Sequence, residues 1–482
     1  MLKSIRDVHD AFDRKELLPS DLTKKFLAAA QSTQTGAFIT VCEERALQQA
    51  LQADQILKKK GKVPRERLPL LGIPMGIKDL LTIDGVRTTC GSKILDQYVP
   101  PYTATAVQRL ENAGVVIVGK LNMDEFAMGG SNENSAYGPV SHPTHPDRVP
   151  GGSSGGSATA VKGDLSFATL GTDTGGSIRL PASYCGIVGV KPTYGRISRY
   201  GQVAFASSLD QIGPMTRTVE DAALLMDTMS GYDPLDSTSA PMAATRTFAA
   251  IQKDPDWKGL RIGIPKEYWV GGVTPEVEKA IQKSMRWFES QGAQLVPISL
   301  PNAMYSVAIY YLLAVSEASS NLARFDGVRF GTRPEKAMAA KDLAGFYKAV
   351  RSQFGPEVKR RIILGTFALS SGYADAYYKR ACQVRRLVKN DFDRAFASVD
   401  VILGPVSPTT AFKLGEKTRD PLQMYLNDIF TIPANLVGLP ALSVPCGQDS
   451  EGLPIGLHLM SPAFTEERLF SVAHAFEVNY AS

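Results

Sequence analysis

Thr105-Ala-Val-Gln-Arg-Leu-Glu-Asn-Ala113, then Gly114, then Val115-Val-Ile-Val118 is the stretch on which the fold turns. Apolar residues at helical spacing occupy 105–113, the glycine stops the helix, and four β-branched residues in a row make a buried strand. From Leu70 onward short apolar runs alternate with helical patterns in the same way, which is the grammar of βαβ units and predicts an α/β fold. Further strands are expected at 260–265, 399–403, 441–444 and 455–459, with a helix over 276–289. On the N-terminal side the first sixty residues read as helical. Ser20 is placed to cap a helix through Ala30, and a second helix over 43–60 ends at Gly61. The expected organisation is an N-terminal helical segment, 1–65, on an α/β body, 66–482. A soft, aperiodic stretch at 231–258 crosses between two halves of that body.

Composition narrows the function. The 482 residues are 44% hydrophobic and 21% charged, ordinary for a folded enzyme, and a net charge of +5 against 48 acidic residues does not mark a nucleic-acid binder. The densest basic stretch, Lys58-Lys-Lys-Gly-Lys62 with Arg65 and Arg67, closes a helical pattern, where cations suit the helix dipole. Five scattered cysteines with no Cys-x-x-Cys indicate neither a disulfide framework nor a zinc site, and point to a reducing compartment. Charges interrupt residues 1–12, so the start lacks a signal peptide's apolar core. The longest apolar run, 303–315, is too short to span a membrane and reads as a buried helix.

Two motifs fail on context. Gly114 to Lys120 has phosphate-loop spacing, but Leu121 stands where Ser or Thr should hold magnesium, and the intervening residues are strand formers. Gly151-Gly-Ser153-Ser-Gly155 matches a nucleophile elbow, yet Pro143, Pro146 and Pro150 precede it where a strand is required. Only His458 and His474 follow it as candidate bases. His142-Pro-Thr-His145 lacks the Cys or Glu company of a metal site.

Three segments converge on one chemistry: Gly76-Ile-Lys78-Asp79, Gly151-Gly-Ser-Ser-Gly-Gly-Ser157, and Gly171-Thr-Asp-Thr-Gly-Gly-Ser177-Ile-Arg179. Each puts small residues where backbone must come close. Gly175 and Gly176 allow unusual backbone angles just before a serine that opens a helical stretch, so successive amides can face an oxyanion.

These stretches resemble the signature of the amidase signature family. The two serines stand 24 residues apart, as in that family, and the family's catalytic lysine falls on Lys78. The resemblance implies a large mixed twisted sheet with helices on both faces. It assigns Ser177 as the acyl-forming nucleophile, Ser153 as a bridging serine held by a cis peptide, and Lys78 as the base. The amides of Thr174, Gly175, Gly176 and Ser177 then hold the oxyanion, and no metal is involved. The chemistry agrees: a serine needs a base near neutral pH, and a lysine serves only when burial strips its charge.

Within the family the resemblance is to the branch serving the glutamyl-tRNA(Gln)/aspartyl-tRNA(Asn) amidotransferases. It is carried by Asn122-Met-Asp-Glu-Phe-Ala-Met-Gly, Asn132-Glu-Asn-Ser-Ala-Tyr-Gly, Tyr200 to Gln211, Glu317 to Gly327, Lys359-Arg-Arg-Ile and Met424-Tyr-Leu-Asn-Asp-Ile. That branch implies glutamine as substrate, with Arg361 on its carboxylate and Asp428 on its ammonium. Arg360 is a neighbour that shares the same motif. It also implies the amidotransferase B and C subunits as partners, with tRNA bound mainly through the B-subunit. ATP and magnesium are then used by the partner rather than this chain, in a cytoplasmic or organellar setting without a membrane. The rival readings are a stand-alone amidase for other small amides and a non-catalytic scaffold.

Overall fold

The computed structural model describes residues 2–269, 271–418 and 420–480. Eleven strands form one sheet among them: β1 Phe38–Val41, β2 Pro74–Lys78, β3 Val116–Leu121, β4 Ala168–Asp173, β5 Val188–Lys191, β6 Gln211–Thr216, β7 Arg261–Pro265, β8 Gln294–Ile298, β9 Val401–Pro405, β10 Ala441–Gln448 and β11 Pro454–Met460. Their hydrogen-bonded order is β1-β3-β2-β4-β6-β5-β10-β11-β9-β7-β8. The β3-β2-β4 and β9-β7-β8 groups are parallel and the remaining pairs antiparallel. The sheet is thus mixed, as expected.

Side-chain alternation shows that helices cover both faces. On β9, Val401 and Leu403 enter one apolar cluster with the helices Pro275–Gln291 and Glu466–Tyr480, while Ile402 enters a second with Ser306–Asn321 and Arg380–Phe396. Successive strand residues point to opposite faces, so a strand buried on both reads as a continuous apolar run. That is why the β-branched run beginning at Val115 betrayed β3.

The first sixty residues hold one surprise. Between the helices Pro19–Ser32 and Glu43–Lys60 lies β1, which pairs antiparallel with β3. Four residues flanked by long helices carry too little periodicity to announce a strand. Ser20 does not cap its helix: the cap position is Leu18, Pro19 starts the helix, and Ser20 is buried with its N–H donated to Asp54 Oδ1 at 3.1 Å. The second helix stops at Gly61 in the left-handed conformation, as its sequence predicts.

Residues 231–258 run from the end of the helix Val219–Met229, which follows β6 in the middle of the sheet, to β7, next to the edge strand β8. The body is therefore two contiguous halves, β1–β6 and β7–β11, sewn together where β5 pairs with β10. The run 303–315 lies largely in the helix Ser306–Asn321, with Ile309, Tyr310, Leu313, Ala314 and Val315 buried. Among the described residues no helix is long and apolar enough to cross a membrane.

Candidate active site

β3, β2 and β4 are parallel neighbours, so their C-terminal ends open on one side of the sheet. In open α/β sheets that is where ligands bind. Lys78 ends β2, the turn with Ser177 follows β4, and Asp124 follows β3.

Lys78 is fully buried. Its Nζ lies 2.8 Å from Ser153 Oγ, 2.8 Å from Ser154 Oγ and 2.9 Å from Thr172 Oγ1. Burial pushes its amine down to about 7, and Asp124, Asp173 and Asp210 keep it from falling further. A lysine at that level is substantially neutral at physiological pH and can take a proton. The sequence singled out Lys78 and Ser153; it gave no sign of Ser154 and Thr172 as further partners of the amine.

Ser153 sits just before the helix Gly155–Lys162, and the Gly152-Ser153 peptide is cis. Asp124 packs against that peptide, since a Cβ on Gly152 would overlap its Oδ2. The Asp124 carboxylate accepts the amides of Asn132 at 2.9 Å and Asn134 at 3.0 Å, and its own amide donates to Ser153 O at 3.3 Å. Burial raises this carboxyl to about 6 against those two amides.

The turn 174–178, which carries Ser177, is fastened from three sides. Asp173 Oδ2 accepts the Ile178 amide at 3.2 Å and Arg179 Nε at 3.0 Å, Asp210 Oδ1 accepts Thr174 Oγ1 at 3.0 Å, and Gly175 O accepts Thr431 Oγ1 at 2.7 Å. Arg179 Nη1 also reaches Thr431 O and His458 Nε2, each at 3.0 Å. Burial alone would raise Asp173, but the Arg179 guanidinium holds it well below the usual carboxylate range. His458, a possible base for a nucleophile elbow, is thereby a neighbour of the arginine: burial and that charge push it far below its ordinary range. His142 is likewise structural, with Nε2 at 2.9 Å from Tyr184 O. Among the described residues no group of His, Cys, Asp or Glu is arranged to hold a metal.

Ser177 is 8% exposed near the end of this turn, the only one of Lys78, Ser153 and Ser177 that touches solvent. The amides of Gly175, Gly176 and Ser177 donate to no protein acceptor among the described residues, which leaves them free to face a developing oxyanion. Gly176 has φ +151, and a Cβ there would overlap Asp428 Oδ1 and Thr431 Oγ1. Only glycine lets the turn and the carboxylate come that close.

Asp428 therefore stands directly against the turn that carries Ser177. Burial, then the nearby Asp173, raises its carboxyl to about 8. Arg361 and Arg360 separate cleanly: on the helix Pro356–Ala368 the Arg360 side chain is 45% exposed and that of Arg361 only 4%. Arg361 Nε donates to Glu357 Oε1 at 2.8 Å, and its guanidinium lies over the rings of Tyr311, Tyr425 and Phe205 at 5.3–5.7 Å. Tyr310, whose ring edge would sit 2.8 Å from a Cβ on Gly175, roofs the turn. The sequence hid it inside an apolar run that looked like core and nothing more.

Lys120, the lysine of the false phosphate loop, is buried with Nζ 2.8 Å from Asp79 Oδ1 and 2.7 Å from Thr88 Oγ1. It is a structural pair.

Known proteins resemble this chain along nearly its whole length. A family model described as Amidase matches residues 21–470. The A-subunit of the glutamyl-tRNA(Gln) amidotransferase of Geobacter metallireducens is 53% identical over 477 residues, 98% of this chain and 96% of that one. The crystal structure of the protein of the same name from Thermotoga maritima superposes with a TM-score of 0.77 at 40% identity, covering 97% of this chain and 95% of that one. The native peptide amidase of Stenotrophomonas maltophilia gives a TM-score of 0.80 at 30% identity, over 99% and 97%.

Proposed function

The chain belongs to the amidase signature family, and from that premise we propose that it is the glutamine-hydrolysing subunit of a tRNA-dependent amidotransferase. The observation that carries the chemistry is the buried Lys78 amine 2.8 Å from Ser153 Oγ. Fold likeness alone does not choose among amidases, because the peptide amidase superposes at least as well as the amidotransferase subunit. Sequence identity favours the amidotransferase, and so do the Arg361 guanidinium, which can take the carboxylate of a free amino acid, and the Asp428 carboxyl against the turn, which can take its ammonium once ionised.

Glutamine binds with its carboxylate on Arg361, its ammonium on Asp428 and its side-chain carbonyl over the amides of the turn 174–177. Ser177 Oγ attacks the carboxamide carbon as its proton passes to Ser153, whose own proton goes to neutral Lys78. The tetrahedral oxyanion is held by the turn's amides. Collapse breaks the C–N bond, with the proton returned through Ser153 to the leaving ammonia, and leaves a glutamyl ester on Ser177. Water, deprotonated by the same relay, releases glutamate.

Ammonia then passes to a partner. In this reading the B and C subunits complete the complex in the cytoplasm, and the B-subunit carries the ATP and magnesium chemistry and most of the tRNA contact. The acceptor is Glu-tRNA(Gln), Asp-tRNA(Asn) or both. Trapping with radiolabelled glutamine tests the proposal: label stably attached to Ser177, alone or with the partner subunits, supports it. No label in either condition favours a scaffold, and label from other small amides in preference to glutamine favours a stand-alone amidase.

A further inference from the structure

The helix Pro356–Ala368, which carries Arg361, begins at a cap position that has no side chain to offer, Gly355. Helix starts leave N–H groups unpaired and favour a negative charge nearby. Here the acceptor comes from far along the chain. Glu125, 2% exposed, accepts the Gly355 amide on Oε2 at 2.7 Å, and its Oε1 accepts the hydroxyl of Ser92.

Glu125 is the immediate neighbour of Asp124, the carboxylate that packs against Gly152 and takes the amides of Asn132 and Asn134. One residue thus grips the loop of the bridging serine and the next grips the helix of the substrate arginine. The join is stiff. Phe126 and Ala127 adopt φ of 50° and 61°, a left-handed conformation that non-glycine residues hold only when their surroundings impose it. The Phe126 ring packs on Phe325 and Phe354, with centroids at 5.0 and 5.7 Å, and Phe354 directly precedes Gly355.

We infer that Glu125 is a positioning residue that sets glutamine affinity by fixing the helix of Arg361 relative to the catalytic serines. The inference rests on the reading that Arg361 holds the glutamine carboxylate. Removing the carboxylate frees the start of the helix and lets the guanidinium drift, while Lys78, Ser153 and Ser177 stay on their own strands and loops. Binding is then weakened more than chemistry.

Steady-state kinetics of the full chain, with the partner subunits present, test this on glutamine and on butyramide, which has the amide but neither the carboxylate nor the ammonium. Glu125→Ala is expected to raise KM for glutamine about tenfold or more with kcat within threefold, and to change kcat/KM for butyramide less than twofold. Glu125→Gln keeps an acceptor for Gly355 and a donor for Ser92, and is expected to restore KM. Ser92→Ala, a milder loosening that keeps the test open if Glu125→Ala does not fold, is expected to raise KM two- to fivefold. An unchanged KM in Glu125→Ala or in Ser92→Ala, an equal loss of kcat on both substrates, or failure of Glu125→Gln to rescue would overturn the inference. Arg361→Ala run in parallel separates the two levels. If it raises KM and the Glu125 variants do not, the positioning role is wrong; if it leaves KM unchanged, the glutamine-site reading fails and the inference with it.

Discussion

Lys78 Nζ lies 2.8 Å from Ser153 Oγ, and neither residue reaches solvent. In the proposed relay this pair is therefore sealed from water, and Ser177, 8% exposed, is the member that meets substrate. Lys78→Ala is expected to abolish glutamine hydrolysis, with a loss of at least about 10²–10⁴-fold for removal of a general base. The chain stays folded, because the substitution also removes a buried amine with a desolvation cost. Ammonia release together with circular dichroism checks this, and retained turnover at neutral pH would remove lysine as the base.

The pH dependence has a definite sign. Lys78, lowered to about 7, and Asp428, raised to about 8, both act deprotonated, so acid inactivates. Bound glutamine presents its ammonium to Asp428 and keeps it ionised. We expect kcat to rise with pH and level off just above 7, reporting the lysine, while kcat/KM continues to climb towards 8. Asp428→Asn should erase the upper rise. A kcat that falls as pH rises through 7 would contradict the assignment.

Ser154 Oγ donates to Thr172 O at 3.2 Å, so towards Lys78 it is an acceptor. A neutral amine has two hydrogens and one lone pair. With the hydrogens on Ser154 and Thr172, the lone pair is left for Ser153. Ser154→Ala and Thr172→Val are each expected to lower kcat about 10–100-fold with little change in KM, since misaimed groups forfeit orientation rather than binding. A change confined to KM would show that these hydroxyls do not aim the amine.

Arg361→Lys should behave almost like Arg361→Ala. The planar guanidinium spans the Tyr311 and Tyr425 rings while bonding Glu357, which a point charge on a flexible stem cannot imitate. We expect KM for glutamine to rise about 10²-fold in both variants, in keeping with roughly 2–3 kcal/mol for a lost charged hydrogen-bond pair. Full activity in Arg361→Lys would show that charge alone suffices.

Arg179→Met leaves Asp173 buried without its partner, and such a break costs about 3–5 kcal/mol. Chemical denaturation should show that loss, with turnover falling as the nucleophile turn loosens. The double variant Arg179→Met/Asp173→Leu should recover much of the stability and little of the activity. If the single variant is as stable as the parent, the clamp is not what holds the turn.

How far the sequence could be read follows from range. β3 and the helix before it were legible because their pattern is local; the glycines around Lys78, Ser153 and Ser177 mark close backbone approach, while the roles proposed for these three residues rest on the family resemblance. β1 was lost because four residues between helices have no period of their own. Tyr310 was lost because an aromatic in an apolar run looks the same whether it faces core or cleft. Thr172 and Ser154 were silent for a third reason: each meets the Lys78 amine across scores of residues, 94 for Thr172 and 76 for Ser154. Arg361 and Arg360 are equivalent as letters, and only the helix face tells them apart.

The seam between β5 and β10 has a consequence for the chain as it is made. All three members of the relay lie in the first half, yet the clamp on Arg179 borrows Thr431, Asn435 and His458 from the second, as the pocket borrows Arg361 and Asp428. A nascent polypeptide still on the ribosome carries its reactive serine on an unbraced turn beside an unpaired strand edge. On the proposed assignment the turn gains its brace and the pocket its Arg361 and Asp428 only when the last strands emerge and dock, so that chemical competence arrives together with selectivity.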